Sequence, residues 1–371
     1  MTAASENNSP IKVLGIETSC DDTAAGIVER MPNGACRILA DVTATQIDDH
    51  KAYGGVVPEI AARSHVERLD GVIRAAMKKA GMAYSDLDGV SATAGPGLVG
   101  GVMVGLTTAK AISLSHNLPL LPINHLEGHA LSAQMTEGVV FPYLLLLISG
   151  GHTQLILVEA LGSYRRLGTT IDDAAGEAFD KTAKLLGLGQ PGGPKIEAAA
   201  KKGDPTKYDF PKPLARKKGC DFSLSGLKTA VRLKAEALEA PNAQDVADIA
   251  ASFQMAIATH LAERTKKAIN LCKAENTARQ LVVAGGVAAN STIRNALSTL
   301  AEDTGWEMLV PPSKYCTDNG AMIAWAGACR LAADLAPSCD EALNFAPRAR
   351  WPLAPPIAGQ EQGGGKKGPK A

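Results

Sequence analysis

Aromatic residues are scarce in this chain: six Phe, six Tyr and three Trp make up 4% of its 371 residues. With 37 glycines and abundant alanine, that suits close-packed α/β elements joined by glycine-rich loops. Neither sign of charge is in excess. Thirty-eight Lys and Arg balance thirty-eight Asp and Glu, so net charge implies no polyanion partner, and a nucleic-acid surface has to be a local patch. The seven cysteines (Cys20, Cys36, Cys220, Cys272, Cys316, Cys329, Cys339) are odd in number and contain no C-x-x-C. They read as reduced thiols rather than a disulfide framework. The longest apolar run, Tyr143–Ile148, is a buried strand and far short of the roughly 20 residues that span a bilayer. The opening MTAASENNSP has no apolar stretch, so neither a secretory nor a transit peptide is expected and the expected location is cytoplasmic. No G-x-x-x-x-G-K-[ST] occurs, so nucleotide binding would need other loops.

What is present points to chemistry at three residues. His125 and His129, in NHLEGHALSA, stand four apart, and on a helix that spacing projects both from one face, one turn apart. Asp318, in KYCTDNGAMIAWAG, offers a carboxylate that completes a two-His-one-carboxylate set with open coordination positions. A histidine pair on a surface or interface helix is the competing reading. The spacing argues against a zinc protease. Its glutamate must directly follow the first histidine, whereas Glu127 lies two positions on, about 200° around the helix. In the inverted H-x-x-E-H form the acidic slot is filled by Gly128.

The length and a 46% hydrophobic content provide for two domains or lobes. The order of elements repeats. A strand at Ile11–Ile16 enters the loop Ser19-Cys20-Asp21-Asp22-Thr23 and leaves in a second strand. Leu144–Ile148 likewise enters Ser149-Gly150-Gly151-His152-Thr153 and leaves in another. Each half then continues to a strand that breaks into glycines before a helix, GPGLVGG in the first and GGVAANS in the second. Two α/β lobes facing a ligand cleft are expected. GPGLVG also fits a dinucleotide-binding turn, but the next strand ends in Asn124 and His125 where that fold wants an acid. The expected boundaries are a disordered start at 1–10, a first lobe at 11–135, a second at 136–355 and a disordered tail at 356–371. The second lobe contains a Lys-, Pro- and Gly-rich insertion at about 191–238, followed by a helix from Ala243 to about Ala274.

The stretches IETSCDDT, YGGVVPEIAARSH, TAGPGLVGG, NHLEGH, LLISGGHTQL, IDDAAGEAFDK, PGGP, FSLSGLKT, AGGVAANS and CTDNGAMIA occur in one order from about Lys12 to Leu353. Together they resemble the TsaD/Gcp family, the tRNA N6-adenosine threonylcarbamoyltransferases, and SGGHT resembles its bacterial branch. The resemblance implies the duplicated actin-like fold shared with sugar kinases and Hsp70-type ATPases, two lobes around a nucleotide cleft. It also implies transfer of threonylcarbamoyl from threonylcarbamoyl-AMP to N6 of adenosine 37, releasing AMP, in tRNAs that read codons starting with A.

By the same resemblance, His125, His129 and Asp318 are metal ligands, with Fe(2+) the first expectation and Zn or Mg the others. Leu147, Ile148, Ser149, Gly150, Gly151, Asp180, Gly193 and Asn290 bind threonylcarbamoyl-AMP or ATP/ADP. Asp22 is a catalytic acidic position. The archaeal branch has a tyrosine ligand before its SGG loop; this chain has Leu147 there. Implied partners are the tRNA anticodon loop, an inactive paralogue of the same fold and a small P-loop ATPase, with a homodimer as the arrangement of the protein alone. Ten Lys and Arg between Lys201 and Lys234 provide a candidate patch for anticodon-stem phosphates, and a solvated lysine-rich face is the alternative. The apolar residues of Val56–Met77 and Leu98–Leu114 are the expected docking face, and helices that simply cover their own sheet are the alternative. His65, His116 and His260 read as structural; His50 and His152 are left open. The rival functions are a small-molecule kinase or ATPase of the same fold and a non-enzymatic scaffold paralogue.

Overall fold

The computed structural model describes residues 9–53, 55–238 and 241–354; nearly all of the expected disordered start and all of the tail lie outside the described residues. In chain order the first segment runs β1 (Ile11–Glu17), β2 (Asp22–Arg30), β3 (Cys36–Thr45), α1 (Ile47–His50), α2 (Pro58–Ala80), β4 (Gly89–Gly95), α3 (Val99–His116), β5 (Leu120–Asn124) and α4 (His125–Glu137). The second continues β6 (Tyr143–Ile148), β7 (Thr153–Ala160), β8 (Ser163–Thr169), α5 (Ala175–Leu185), α6 (Gly192–Ala200), α7 (Ser225–Glu236), α8 (Ala243–Glu275), β9 (Gln280–Ala284), α9 (Ser291–Thr304), β10 (Glu307–Leu309) and α10 (Ser313–Cys316). Last come α11 (Gly320–Ala332) and α12 (Cys339–Asn344).

The repeat seen in the sequence is a repeat of topology. One sheet has the order β3-β2-β1-β4-β5, and the other, written from its far edge, β8-β7-β6-β9-β10. In each, the first strand pairs antiparallel with the second and parallel with the fourth, through β1–β2 and β1–β4 in one case and β6–β7 and β6–β9 in the other.

The domain boundary differs from the simple cut after 135. One compact unit holds the chain up to Val139 together with Asp318–Leu353; the other is Val140–Thr317. The cause is a close backbone fit. Strand alternation sends Leu14, Ile16 and Ile27 into a core with Leu69, Ile73 and Ala76 of α2 and Leu106 of α3. It leaves Gly15 and Gly26 on the opposite face, where α11 lies. A methyl group on Gly15 would sit 2.7 Å from the Cα of Ala324, and one on Gly26 2.6 Å from the carbonyl carbon of Gly320. Contacts between small residues so far apart in sequence leave no periodic signal, so α11 reads as the end of the second lobe until the backbone is seen.

In the second unit the stretch at 191–238 is more than an inserted loop. Phe210, Phe222, Leu224, Leu227 and Val231 join a core with Phe179 of α5 and Phe253 of α8, and Phe222 exchanges backbone bonds with Thr169 and Ile171. Its exposed edge does carry the charges: Lys201, Lys202, Lys207, Lys212, Arg216, Lys217, Lys218 and Arg232 are all exposed. Buried Arg264 of α8 binds the carbonyls of Leu214, Lys217 and Gly219 and so shapes that edge. No described helix is long and apolar enough to cross a membrane.

Gly15→Ala should destabilise the protein by about 3 kcal/mol through overpacking against backbone that has no rotamer to yield. Gly71→Ala, on α2 where a Cβ meets open space, should stabilise it by about 1 kcal/mol through helix propensity. Urea unfolding curves of the two variants check both signs.

Candidate functional site

β5 ends at Asn124, whose side chain accepts from the Leu126 amide at 2.9 Å and caps α4. The cap makes His125 the first residue of α4 and puts His129 one turn later, their ring centroids 4.7 Å apart. At the head of α11, the Asn319 side chain accepts from the Met322 amide at 2.8 Å, which presents Asp318 from the preceding loop. Asp318 Oδ1 then lies 3.5 Å from His125 Nε2 and 3.1 Å from His129 Nε2. A divalent ion with bonds of about 2.1 Å needs neighbouring donors roughly 3.0–3.4 Å apart, and the carboxylate oxygen stands close to that spacing from each of the two nitrogens. The three ligand atoms lie within 4.8 Å of one another. Glu127 points elsewhere, as the helix geometry predicts. It is fully buried and takes both Nε and Nη2 of Arg330 at 2.9 Å. That ion pair ties α4 to α11, and Gly128 lets the helices meet, since a Cβ there would lie 2.8 Å from Ile323 Cδ1.

Carboxylates crowd the histidines. Glu17, at the end of β1, is fully buried and lies 2.9 Å from His125 Nδ1. Burial works against charging either group, but the charges of Glu17 and Asp318 outweigh it and push His125 up to about 9. Its attraction to His125 likewise holds Glu17 below the usual carboxylate range, although burial opposes this. Asp22, at the start of β2, is pushed up from 3.8 to about 7 by burial and then by the negative charges of Asp318 and Asp21. A cation among these groups would relieve the repulsion that raises Asp22, so the donor set suits a divalent metal. Burial pushes the Cys20 thiol well up, which argues against a thiolate nucleophile in this loop.

The nucleotide-binding expectations fall in the second unit. Leu147 and Ile148 are fully buried at the end of β6, so only their backbones are on offer to a ligand. Ser149–His152 form the hairpin turn, closed by Ser149 N–H donating to His152 O at 2.8 Å. A Cβ on Gly150 or Gly151 would meet nothing within 4 Å, and the same holds at Gly193. No internal packing demands a glycine at these three positions. Their neighbours are different: Gly176 lets α5 sit on this turn, where a Cβ would lie 2.7 Å from the Cα of Gly150, and Gly192 packs on the backbone of Asp180. Asp180 accepts from the Gly192 amide at 2.7 Å, so it holds the turn at Gly193. Asn290 caps α9 through Ile293 N–H and donates to Gln254 Oε1 at 2.7 Å. Both of its side-chain groups therefore have work inside the fold. The expected residues divide between the units: His125, His129, Asp318 and Asp22 lie in the first, and 147–151, Asp180, Gly193 and Asn290 in the second.

The model of the TsaD family, tRNA N6-adenosine threonylcarbamoyltransferase, matches residues 37–325. The chain belongs to that family. It is 56% identical over 342 residues to a tRNA N6-adenosine threonylcarbamoyltransferase of Afipia carboxidovorans, covering 92% of this chain and 95% of the relative. The corresponding protein of Sinorhizobium medicae is 55% identical over 364 residues, covering 97% and 100%. Among solved structures, HypF of T. kodakarensis superposes with a TM-score of 0.58 at 18% identity, over 87% of this chain and 49% of that one. The component A of the Acidaminococcus fermentans (R)-2-hydroxyglutaryl-CoA dehydratase gives 0.51 at 18%, over 87% and 99%. These two likenesses speak to the fold alone, the duplicated actin-like α/β architecture.

Within this family member, the glycines of GPGLVGG have a packing role. A Cβ on Gly97 would lie 2.6 Å from Ser19 O, and Gly101 and Gly105 approach Thr18, while Leu98 N–H donates to Ser19 O at 2.7 Å. They seat α3 on the loop after β1, as a dinucleotide turn would not. Glu17 is the site residue that sequence reasoning missed; its signal was an acid directly following the apolar run Val13–Ile16. Of the open histidines, His50 is a core residue that accepts from the Val57 amide at 3.3 Å. His65 is bonded to Thr23 Oγ1 at 2.8 Å and to Cys20 O at 3.0 Å, both in or beside the hairpin loop.

Because the folded pKa of Asp22 is raised, its contribution to stability is whole below about 4 and is lost as pH rises through about 7. Asp22→Asn removes that loss. In chelator-treated protein the variant should match the parent near pH 4 and exceed it by about 2 kcal/mol at pH 8, allowing for partial solvent screening. Denaturation at the two pH values measures the difference.

Proposed function

We propose that the protein transfers the threonylcarbamoyl group of threonylcarbamoyl-AMP to N6 of adenosine 37 in tRNAs reading codons that start with A, releasing AMP, in a cytoplasmic setting. The observation that carries this reading is the convergence of His125, His129 and Asp318 on one point in a chain of this family. A sugar or small-molecule kinase of the same fold would use phosphate loops but would need no such donor set.

The residues divide the labour. In the second unit, the backbone N–H groups of Gly150 and Gly151 take a phosphate, since the absence of Cβ at both leaves the approach open. Asp180 sets the turn at Gly193 for the nucleoside, and Asn290 holds the start of α9 beside it. In the first unit, His125, His129 and Asp318 hold a divalent metal, Fe(2+) by preference, which when bound supplies Lewis-acid polarisation of a phosphate or carbamoyl oxygen. Asp22 accepts the proton lost by the adenine amine. The negative charges that help raise its carboxyl are offset when a cation is bound, so Asp22 is ionised at neutral pH and able to take that proton. The amine is a poor nucleophile, so positioning contributes most of the rate.

The exposed lysines of 201–218 are suited to anticodon-stem phosphates. The expected docking face carries exposed Val66 on α2 and Val99, Met103 and Leu114 on α3. An inactive paralogue of the same fold, or a second copy when the protein is alone, would cover them, with a small P-loop ATPase as the further partner.

Depletion of the protein should remove threonylcarbamoyladenosine from tRNA nucleosides measured by mass spectrometry, with no phosphorylated sugar product; unchanged modification would defeat the proposal. The His125→Ala, His129→Ala, Asp318→Ala triple variant should lose nearly all bound metal by elemental analysis while remaining folded. Gly150→Val should weaken binding of ATP or the AMP conjugate by about tenfold or more, equal to about 1.4 kcal/mol, with little change in stability because no protein atom opposes the new side chain.

A further inference from the structure

Glu17 occupies a position that packing alone does not account for. A fully buried carboxylate costs several kcal/mol unless its oxygens are met by donors. Here three elements meet them. Glu17 ends β1 and has no exposed surface. Its Oε1 accepts from the Ser19 amide at 2.6 Å. Its Oε2 accepts from the Thr93 hydroxyl of β4 and faces Nδ1 of His125 at 2.9 Å. Ser19 Oγ stands 3.2 Å from the same nitrogen.

We propose that Glu17 is the positioning residue of the metal centre: its carboxylate holds the proton of His125 on Nδ1 and thereby leaves Nε2 as the ligand atom. An ionised carboxylate only accepts, so the ring nitrogen opposite it must donate. The other nitrogen, which faces Asp318 at 3.5 Å, is then the one that gives up its proton to a cation and ligates it. The ring is held against the sheet by the same contact, so tautomer and orientation are set together. This is the support that metal-bound histidines generally receive from a carboxylate behind them. His129 has no such support, since its Nδ1 is buried and meets no hydrogen-bond partner among the described residues. The two histidines are therefore unequal: His125 is preset by the fold, and His129 adjusts. Glu17 is not itself in the donor set, which is made of His125, His129 and Asp318. It acts through one imidazole ring.

The inference rests on the metal-centre reading above, and its test separates the two. Glu17→Gln keeps the volume and keeps an oxygen for the Ser19 amide. Its NH2 group then donates toward His125 Nδ1, which drives the ring proton onto Nε2. Chelator-competition titration of the full chain with Zn2+ as the probe should show affinity falling by about 10- to 100-fold, with cooperative unfolding retained. In metal-free Glu17→Gln, 15N NMR of labelled histidine should find the His125 proton on Nε2, whereas the parent keeps a proton on Nδ1. A purely structural role would move neither the tautomer nor the affinity of the folded protein. Zn2+ affinity within twofold of the parent, when His125→Ala abolishes binding, overturns the role of Glu17 and leaves the metal centre standing. A parent that binds no Zn2+ removes the metal centre and this inference with it. Should Glu17→Gln not fold, Glu17→Asp decides, because it keeps the charge but withdraws the carboxylate by one methylene. About tenfold weaker binding is expected, and parental affinity would again overturn the proposal.

Discussion

The first unit depends on how closely α11 can approach the sheet beneath it. Gly15, Gly26 and Gly320 remove the side chains that would hold helix and strands apart, so the backbones meet almost directly. Asp318 immediately precedes that helix, and its place opposite α4 follows from where the helix rests. The Glu127–Arg330 pair and Gly128 fix α4 from the other direction. A candidate metal site assembled from residues 189 positions apart thus rests on a helix seat that is nearly pure backbone. A methyl group in the seat would move a ligand as well as loosen a core.

Electrostatics then decide what the centre can accept. Glu17, Asp22 and Asp318 put negative charge around two buried or partly buried imidazoles. Without a cation, the arrangement has two consequences at once: His125 binds a proton unusually tightly and Asp22 gives its proton up only around pH 7. Both protons occupy places suited to positive charge. The hydrogen-bonded ring of His125, bracketed by Glu17 and Asp318, is the link between the sheet and the open side of the centre.

Glycine serves three separate ends in this chain. At Gly15 and Gly26 it permits a helix to rest on strands; at Gly97 and Gly101 it seats α3 on the loop after β1. At Gly150, Gly151 and Gly193 no described atom lies within 4 Å of where a side chain would begin, so the glycine there leaves open surface rather than a packing seat. One-letter patterns do not distinguish these ends, which is why GPGLVG imitates a dinucleotide turn.

The sequence by itself determined the α/β class, the duplication and the pairing of His125 with His129. Those rest on short-range regularities: apolar runs of strand length, a five-residue loop repeated between strands, and the period of a helix. It also pointed to Asp318, and to the loop at Ser149–Gly151, by motifs that match a known family. Only the tertiary structure decided the rest. It returned Asp318–Leu353 to the first unit, made the stretch after Pro191 part of the second core, and gave Asp180 and Asn290 bonds within the fold. It also brought Glu17 to within 2.9 Å of His125. Each of these is a contact between segments far apart along the chain, formed by small residues or single polar groups. Such contacts have no local period, and their partners are chosen by which surfaces the folded backbone brings together.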